Sequence, residues 1–479
     1  MMNLNKIILI IIITFYSYND AVSQEIDPLM NYLEIATKNN PTVLQKYAEY
    51  EAALQKVPQV GSLPDPELNA GVFLSPMELI DGKQLADFRL MQMFPWFGTL
   101  KAAKDEMSLM AKAKYESFRD AKLQVIYEAQ QTWFDLYKVQ QAIEISKKNI
   151  EILNTLERLS LIKFKSASIG GISSSSAGGN MQNTISQRTS SGSSGMNSMS
   201  GNTSNSNPSK VQPSAPIQNK PMNSSAGSGL IDLYRIQIET SDLENNIALL
   251  NDQKNTLIVR FNSILNREAQ ESVKIPDTLI SNSLHIPILN VTDSILVKNP
   301  MLSMLNYEKQ ALEARKVMVT KMGYPMIGLG LNYALIGKNP MSTLEMNGND
   351  MIMPMVTLTL PIYRKKYKAM KTEVEKLKTA TEHQQKATAN TLTNDYYEAV
   401  KNYEDAQRKI VLYAKQYSLA NQSLNILIKS FSSAGVGLTD LLIIQQQTLN
   451  YELKQVEAVA DFNTEIAKLN RLMAYLQIQ

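Results

Sequence analysis

The stretch Gln92-Met93-Phe94-Pro95-Trp96-Phe97-Gly98 marks where one pattern in this chain gives way to another. Before it, Ala86, Phe88, Leu90 and Phe94 alternate with Asp87 and Arg89, the period of a half-buried strand. After it, from Gly98 to about Ser168, apolar residues recur at helical spacing without a proline, among them Leu123, Ile126, Tyr127, Phe134 and Tyr137, with Gln130 on the same stripe. Pro95 ends the strand, because a proline can neither donate to a ladder nor sit inside the helix that follows.

The same transition occurs again. Leu358-Thr359-Leu360-Pro361-Ile362-Tyr363-Arg364 closes a second alternating run, and helical spacing, including Tyr396, Val400 and Tyr403, continues to about Ser430. Other pairs follow in the same order. Asn40-Pro41 opens one helix and Asn299-Pro300 another, while Phe164–Gly170 matches Phe431–Gly437. Gly229-Leu230-Ile231-Asp232-Leu233 matches Gly437-Leu438-Thr439-Asp440-Leu441. Four matches in one order argue for a tandem repeat of helix, strand, strand, long helix, turn, helix. The last two motifs share Gly437 in the second copy, but residues 171–228 separate them in the first. The expected division is a signal peptide over 1–23, a first repeat over 24–267 with the insertion 171–228, a linker over 268–286, and a second repeat over 287–479.

Each strand pair has one apolar and one small or polar face. Leu68, Ala70, Val72 and Leu74 line one face of the first strand. Ile327, Leu329, Leu331, Tyr333 and Leu335 oppose Gly328, Gly330, Asn332 and Ala334, and Val356, Leu358 and Leu360 oppose Met355, Thr357 and Thr359. Two-faced segments of this length suit a membrane barrel. Four strands cannot close one, and open edges are not tolerated in lipid. Two chains would give an eight-stranded barrel that its own side chains fill, whereas three give about twelve strands with room for a conduit. Helices of about 70 residues would extend on the order of 100 Å as coiled-coil arrays or tubes.

The compartment follows from the N-terminus. Lys6, the apolar run Ile7–Ile13 and the small residues Ala21-Val22-Ser23 read as a secretory signal cleaved before Gln24. No later stretch reaches the length of a membrane helix. A formal net charge of +3 over 479 residues gives no reason to expect a nucleic-acid partner. With no cysteine there are no disulfides, thiolate ligands or lipidated N-terminal Cys. His285 and His383 stand alone, and no phosphate loop, GxSxG elbow or HExxH motif is present, so neither an enzyme nor a cofactor is expected.

The Asn-Pro helix starts, Phe94-Pro95-Trp96-Phe97-Gly98 and the Gly-Leu-x-Asp-Leu turns together resemble the TolC-type outer-membrane factor family. The stretch Met91–Leu100 is most similar to members that accompany heavy-metal efflux pumps. The resemblance implies a mainly α chain with a membrane β part: a channel-tunnel in which a homotrimer shares a twelve-stranded barrel continued by a long α-helical coiled-coil barrel. It implies an outer-membrane efflux channel, passive in itself, that docks on a periplasmic adaptor (membrane fusion) protein and a resistance-nodulation-division pump. Gly229, Leu230, Asp232, Gly437, Leu438, Thr439 and Asp440 would then form the tunnel tip and docking surface. Glycine there would permit a tight turn, and Asp or Thr just after it could cap the returning helix. Trp96, Phe97 and Tyr363 would form the aromatic girdle against outer-membrane lipid.

The insertion 171–228 is rich in Ser, Gly, Asn and Gln, lacks aromatics and carboxylates, and is expected to remain disordered at the periplasmic mouth. Its Met181, Met196, Met199 and Met222 offer soft thioethers that could capture Cu(I). Their density barely exceeds that of the 24 methionines in the whole chain, which favours a neutral insertion. Met91, Met93 and Met355 fall on the small face of the strands. The competing readings are a channel for polypeptide secretion or drug efflux and, in a different class, a secreted coiled-coil scaffold or adhesin.

Overall fold

A computed structural model describes residues 28–80, 82–170, 228–279, 297–343, 345–433 and 436–475. The signal peptide, the insertion through residue 227 with its four methionines, and residues 280–286 of the linker lie outside the described residues. In chain order the elements are α1 (Pro28–Asn39), α2 (Pro41–Gly61), β1 (Glu67–Leu79), β2 (Gly82–Phe94), α3 (Thr99–Gly170) and α4 (Ser228–Leu265). The order then resumes with α5 (Pro300–Met322), β3 (Met326–Gly337), β4 (Met351–Thr359), α6 (Arg364–Ser432) and α7 (Leu438–Leu472). The helices α3 and α6 run for 72 and 69 residues, close to the spans that their spacing predicts. Among the described residues no helix is long and apolar enough to cross a membrane.

The two Asn-Pro pairs do more than begin helices. The buried Asn40 accepts hydrogen bonds from the backbone N–H groups of Thr42 (2.9 Å) and Val43 (3.4 Å), and Pro41 occupies the position where a missing N–H costs nothing. Its Nδ2 donates to the carbonyl of Ile264, at the end of α4, at 2.9 Å. Asn299 repeats the arrangement. It accepts from Met301 N and donates to the carbonyl of Leu472, the last residue of α7, at 3.4 Å. Asparagine carries both an acceptor and a donor, so one side chain can cap a starting helix and satisfy an orphan carbonyl of a finishing one.

The four strands form one antiparallel sheet in the order β1-β2-β3-β4, with β2 and β3 joining the two halves of the chain. One face reads Leu68, Leu90, Leu331, Pro354 across the sheet, and two residues along it reads Ala70, Phe88, Tyr333, Ile352. The register departs from ideal between Val72 and Met77 in β1 and between Gln84 and Ala86 in β2. These bulges absorb extra residues near the β1–β2 turn, and Pro76 falls within the first, where its missing N–H breaks no regular pair.

The chain divides into two compact units. One comprises Met1–Ile145, Ile247–Leu424 and Ile444–Gln479, and the other Ser146–Asn246 and Asn425–Ile443. In the first, Leu33 of α1, Trp133 and Leu136 of α3, and Phe261 and Leu265 of α4 form one buried cluster. Leu302, Tyr396, Ala399, Tyr403 and Phe462 form another, and Tyr403 stacks on Phe462 at 4.8 Å. The aromatic stripes seen in the sequence are therefore interhelical packing. The residues after α4 are also tied down: Lys274 N donates to Tyr32 Oη (2.9 Å), Trp133 Nε1 to the Lys274 carbonyl (3.3 Å), and Gln141 Nε2 to the Asp277 carbonyl (2.9 Å). In the second unit Leu153, Leu156, Ile236, Phe431, Leu438 and Leu441 are buried.

Candidate functional site

The sheet lies in the first unit, and its apolar side chains are uncovered in the single chain. Leu68, Leu90, Leu331, Val356 and Leu358 are all exposed in the single chain, Val356 at 75%. A face of aligned, uncovered Leu, Val and Ile across four strands needs an apolar medium or a partner. Gln92, a polar residue on this face, is satisfied locally, because its Nε2 donates to the carbonyls of Pro64 (2.8 Å) and Met93 (3.0 Å). The opposite face is built of small and polar residues: Asn69, Gly71, Asp87, Arg89, Gly328, Gly330, Asn332 and Thr357 share it by register. Methionine is its other recurrent residue, with Met91, Met93, Met351, Met353 and Met355 there. The sequence reading included Met91, Met93 and Met355. It missed Met351 and Met353, which the same alternation would have revealed had the run been extended backward past Pro354.

At the end of the sheet where the strands give way to helices, Gly98 turns the chain with a φ of +79°, and a Cβ there would run into Lys321 Nζ. Glycine is required at that step. Phe97 and Tyr363 project into the open, at 81% and 78% exposed. Trp96 does not. It stacks on Tyr324, with ring centroids 5.3 Å apart and planes within 19°, just before β3 begins. Tyr324 thus belongs with the three aromatics expected at this level, and its position directly before Pro325 and a strand was the signal that could have found it.

In the second unit the two Gly-Leu turns meet. Arg235 of α4 donates to Thr439 Oγ1 of α7 at 2.7 Å, joining the turn region of one repeat to that of the other. Lys163 Nζ sits 4.6 Å from the ring centre of Phe431. Gly229 lies inside the first turn of α4, and a Cβ on it would come within 2.9 Å of Phe164 Cδ2. Glycine is needed there for close helix packing and not for an unusual φ. Gly437 has no neighbour within 4 Å and no left-handed φ, so nothing among the described residues demands glycine there. Leu438 is buried and Leu230 is exposed. Asp440 falls in the first turn of α7, where the helix dipole favours a carboxylate, whereas Asp232 lies a turn into α4 and Thr439 turns its oxygen to Arg235. Burial raises the Asp232 carboxyl above the ordinary carboxylate range, opposed by Arg235 and Lys163. Arg235 and Lys163 escaped the sequence reading because only the packing of α3, α4 and α7 brings them to the turns.

Among the described residues no three His, Cys, Asp or Glu side chains come together as a metal site. No protein-family model matches the sequence, nor does the sequence of any curated protein. Solved structures do match. The outer-membrane channel OprN superposes with a TM-score of 0.69 at 12% identity, covering 94% of this chain and 90% of that one. The outer membrane protein VceC from Vibrio cholerae superposes at 0.67 and 12% identity, covering 93% and 96%. CusC, described for conformational changes accompanying folding and transmembrane channel formation, superposes at 0.65 and 11% identity, covering 93% and 91%. At these identities the likeness establishes the fold, which is that of outer-membrane channel proteins.

Proposed function

We propose that this chain is a subunit of a TolC-type outer-membrane channel, a passive conduit in a tripartite efflux system. The observation that carries the proposal is the two-faced sheet. Its apolar face is aligned and uncovered, its other face is small and polar, and β1 and β4 each have a neighbour on one side only. Backbone groups along such edges cannot be left unpaired in lipid, so β1 of one copy pairs with β4 of the next until the sheet closes. Three copies give about twelve strands, the smallest closed assembly of this unit with a lumen. The apolar face meets lipid, the small face lines the pore, and Phe97, Tyr363 and the Trp96–Tyr324 pair sit at the interface. The N-terminal signal delivers the chain across the inner membrane, and the two repeats bring their Gly-Leu turns to the periplasmic tip. There Gly229, Leu230, Asp232, Gly437, Leu438, Thr439 and Asp440 receive an adaptor that couples the channel to a resistance-nodulation-division pump. The open space at Gly437 and the exposed Leu230 favour docking at the turns. Heavy-metal cations are the cargo we favour over polypeptides or drugs, on the strength of the methionines along the small face.

The test is direct. Protein purified from outer membranes in detergent should have the mass of a trimer by light scattering and conduct in planar bilayers. A protein that remains monomeric and fails to conduct refutes the channel. A non-conducting trimer refutes the lumen.

A further inference from the structure

The sheet register brings methionines from two strands over a floor without side chains. Met91 of β2, Gly330 of β3 and Met355 of β4 form one row, and Met93, Gly328 and Thr357 form the next on the same face. With glycine at both central positions, nothing stands between the side chains of β2 and β4. The Cε atoms of Met91 and Met355 each lie 3.6 Å from where a Cβ on Gly330 would be, and Met93 Sδ lies 2.6 Å from the corresponding point on Gly328. Three methionine side chains thus meet over the two glycines, all half-buried. Thr357 Oγ1 is 3.7 Å from Met91 Sδ, so that sulfur is turned toward a polar partner.

We propose that Met91, Met93 and Met355 form a thioether site for a soft monovalent cation, Cu(I) or Ag(I). Neutral, polarisable sulfur selects these ions over harder divalent metals, and the flexible methionine side chain can adjust to a low coordination number. Glu67 of β1 pairs with Met91 and sets a carboxylate beside the site, and Arg89 lies two residues along β2 on the same face. The site lies within one chain. It rests on the channel reading only for its position in a lumen, where it would make the conduit wall a transient station for the ion.

The full-length protein in detergent is titrated with Ag(I) by calorimetry, and with Cu(I) against a chromogenic chelator. X-ray absorption at the copper edge identifies the ligating atoms. The expected result is one ion per chain with a sulfur-only first shell, lost in Met91→Leu/Met355→Leu. Leucine conserves the volume of methionine, so the variant should remain trimeric. Absence of binding in the wild type overturns the proposal and leaves these methionines as packing. So does binding that persists in Met91→Leu/Met93→Leu/Met355→Leu, which would assign the ion elsewhere, including to Met181, Met196, Met199 and Met222. A trimer that conducts without binding the ion overturns the site alone. A protein that binds the ion but neither trimerises nor conducts overturns the channel and leaves the site standing.

Discussion

Asn40 offers a quantitative test of how the ends of a repeat are joined. Its Oδ1 caps α2 and its Nδ2 donates 2.9 Å to the Ile264 carbonyl. Asn40→Ser keeps a capping oxygen and removes the donor, which should cost about 1 kcal/mol, the usual net worth of one internal hydrogen bond. Asn40→Ala removes both functions, adding about 1 kcal/mol for the lost cap. Asn40→Asp keeps the cap and improves its interaction with the helix dipole, but aims a carboxylate at a carbonyl in a buried place. It should therefore cost more than the alanine change, since an unpaired buried charge exceeds an unmade neutral bond. The paired position supplies the internal control. At Asn299 the donor arm is stretched to 3.4 Å, so Asn299→Ser should cost less than Asn40→Ser. Urea unfolding of the detergent-purified protein, followed by helical circular dichroism, would rank the variants. If Asn40→Ser matched the wild type, or Asn299→Ser proved the worse of the two, the two-armed role of these residues would be refuted.

Three further outcomes follow from the same geometry. Val356 and Thr357 are adjacent in sequence and on opposite faces: Val356→Lys should lose about 2–4 kcal/mol of membrane stability and fail to insert. Thr357→Lys should insert and shift conductance toward anions, as read by reversal potentials in planar bilayers. Gly229→Ala should cost about 1–3 kcal/mol from overpacking against Phe164, partly offset by better helix propensity, while Gly437→Ala should leave thermal unfolding unchanged and weaken adaptor pull-down. For Asp232, burial raises the folded-state pKa, so the folded state binds more protons than the unfolded state just above the ordinary carboxylate range. Stability should fall as pH rises through that window, and Asp232→Asn should flatten the slope; an unchanged slope would exclude Asp232 as its source.

Much of the fold was legible because its signals are local. Pro95 and Pro361 close strands that the two-residue alternation of Phe88, Leu90, Leu331 and Val356 had already outlined. The helical spacing of Leu123, Phe134, Tyr137, Tyr396 and Tyr403 marked residues that are in fact buried. Less was legible at the turns. Glycine at 229 and 437 suggested tight bends, yet Gly229 is inside a helix and is set by its contact with Phe164, a residue 65 positions away. Trp96 was expected among the interfacial aromatics, and its stacking on Tyr324 depended on a neighbour more than two hundred residues distant.

From the sequence alone came the element types, the two faces of each strand, the tandem order and the absence of enzymatic motifs, because periods of 2 and 3.6 are properties of short segments. The tertiary structure alone decided what lies beside what. Register along β2, β3 and β4 set Met91 against Gly330 and Met355, and helix packing carried the free arm of Asn40 to the last turn of α4. A strand's pattern says which side a residue faces but not which partner it meets; a one-residue slip would move every one of those methionines to the other face.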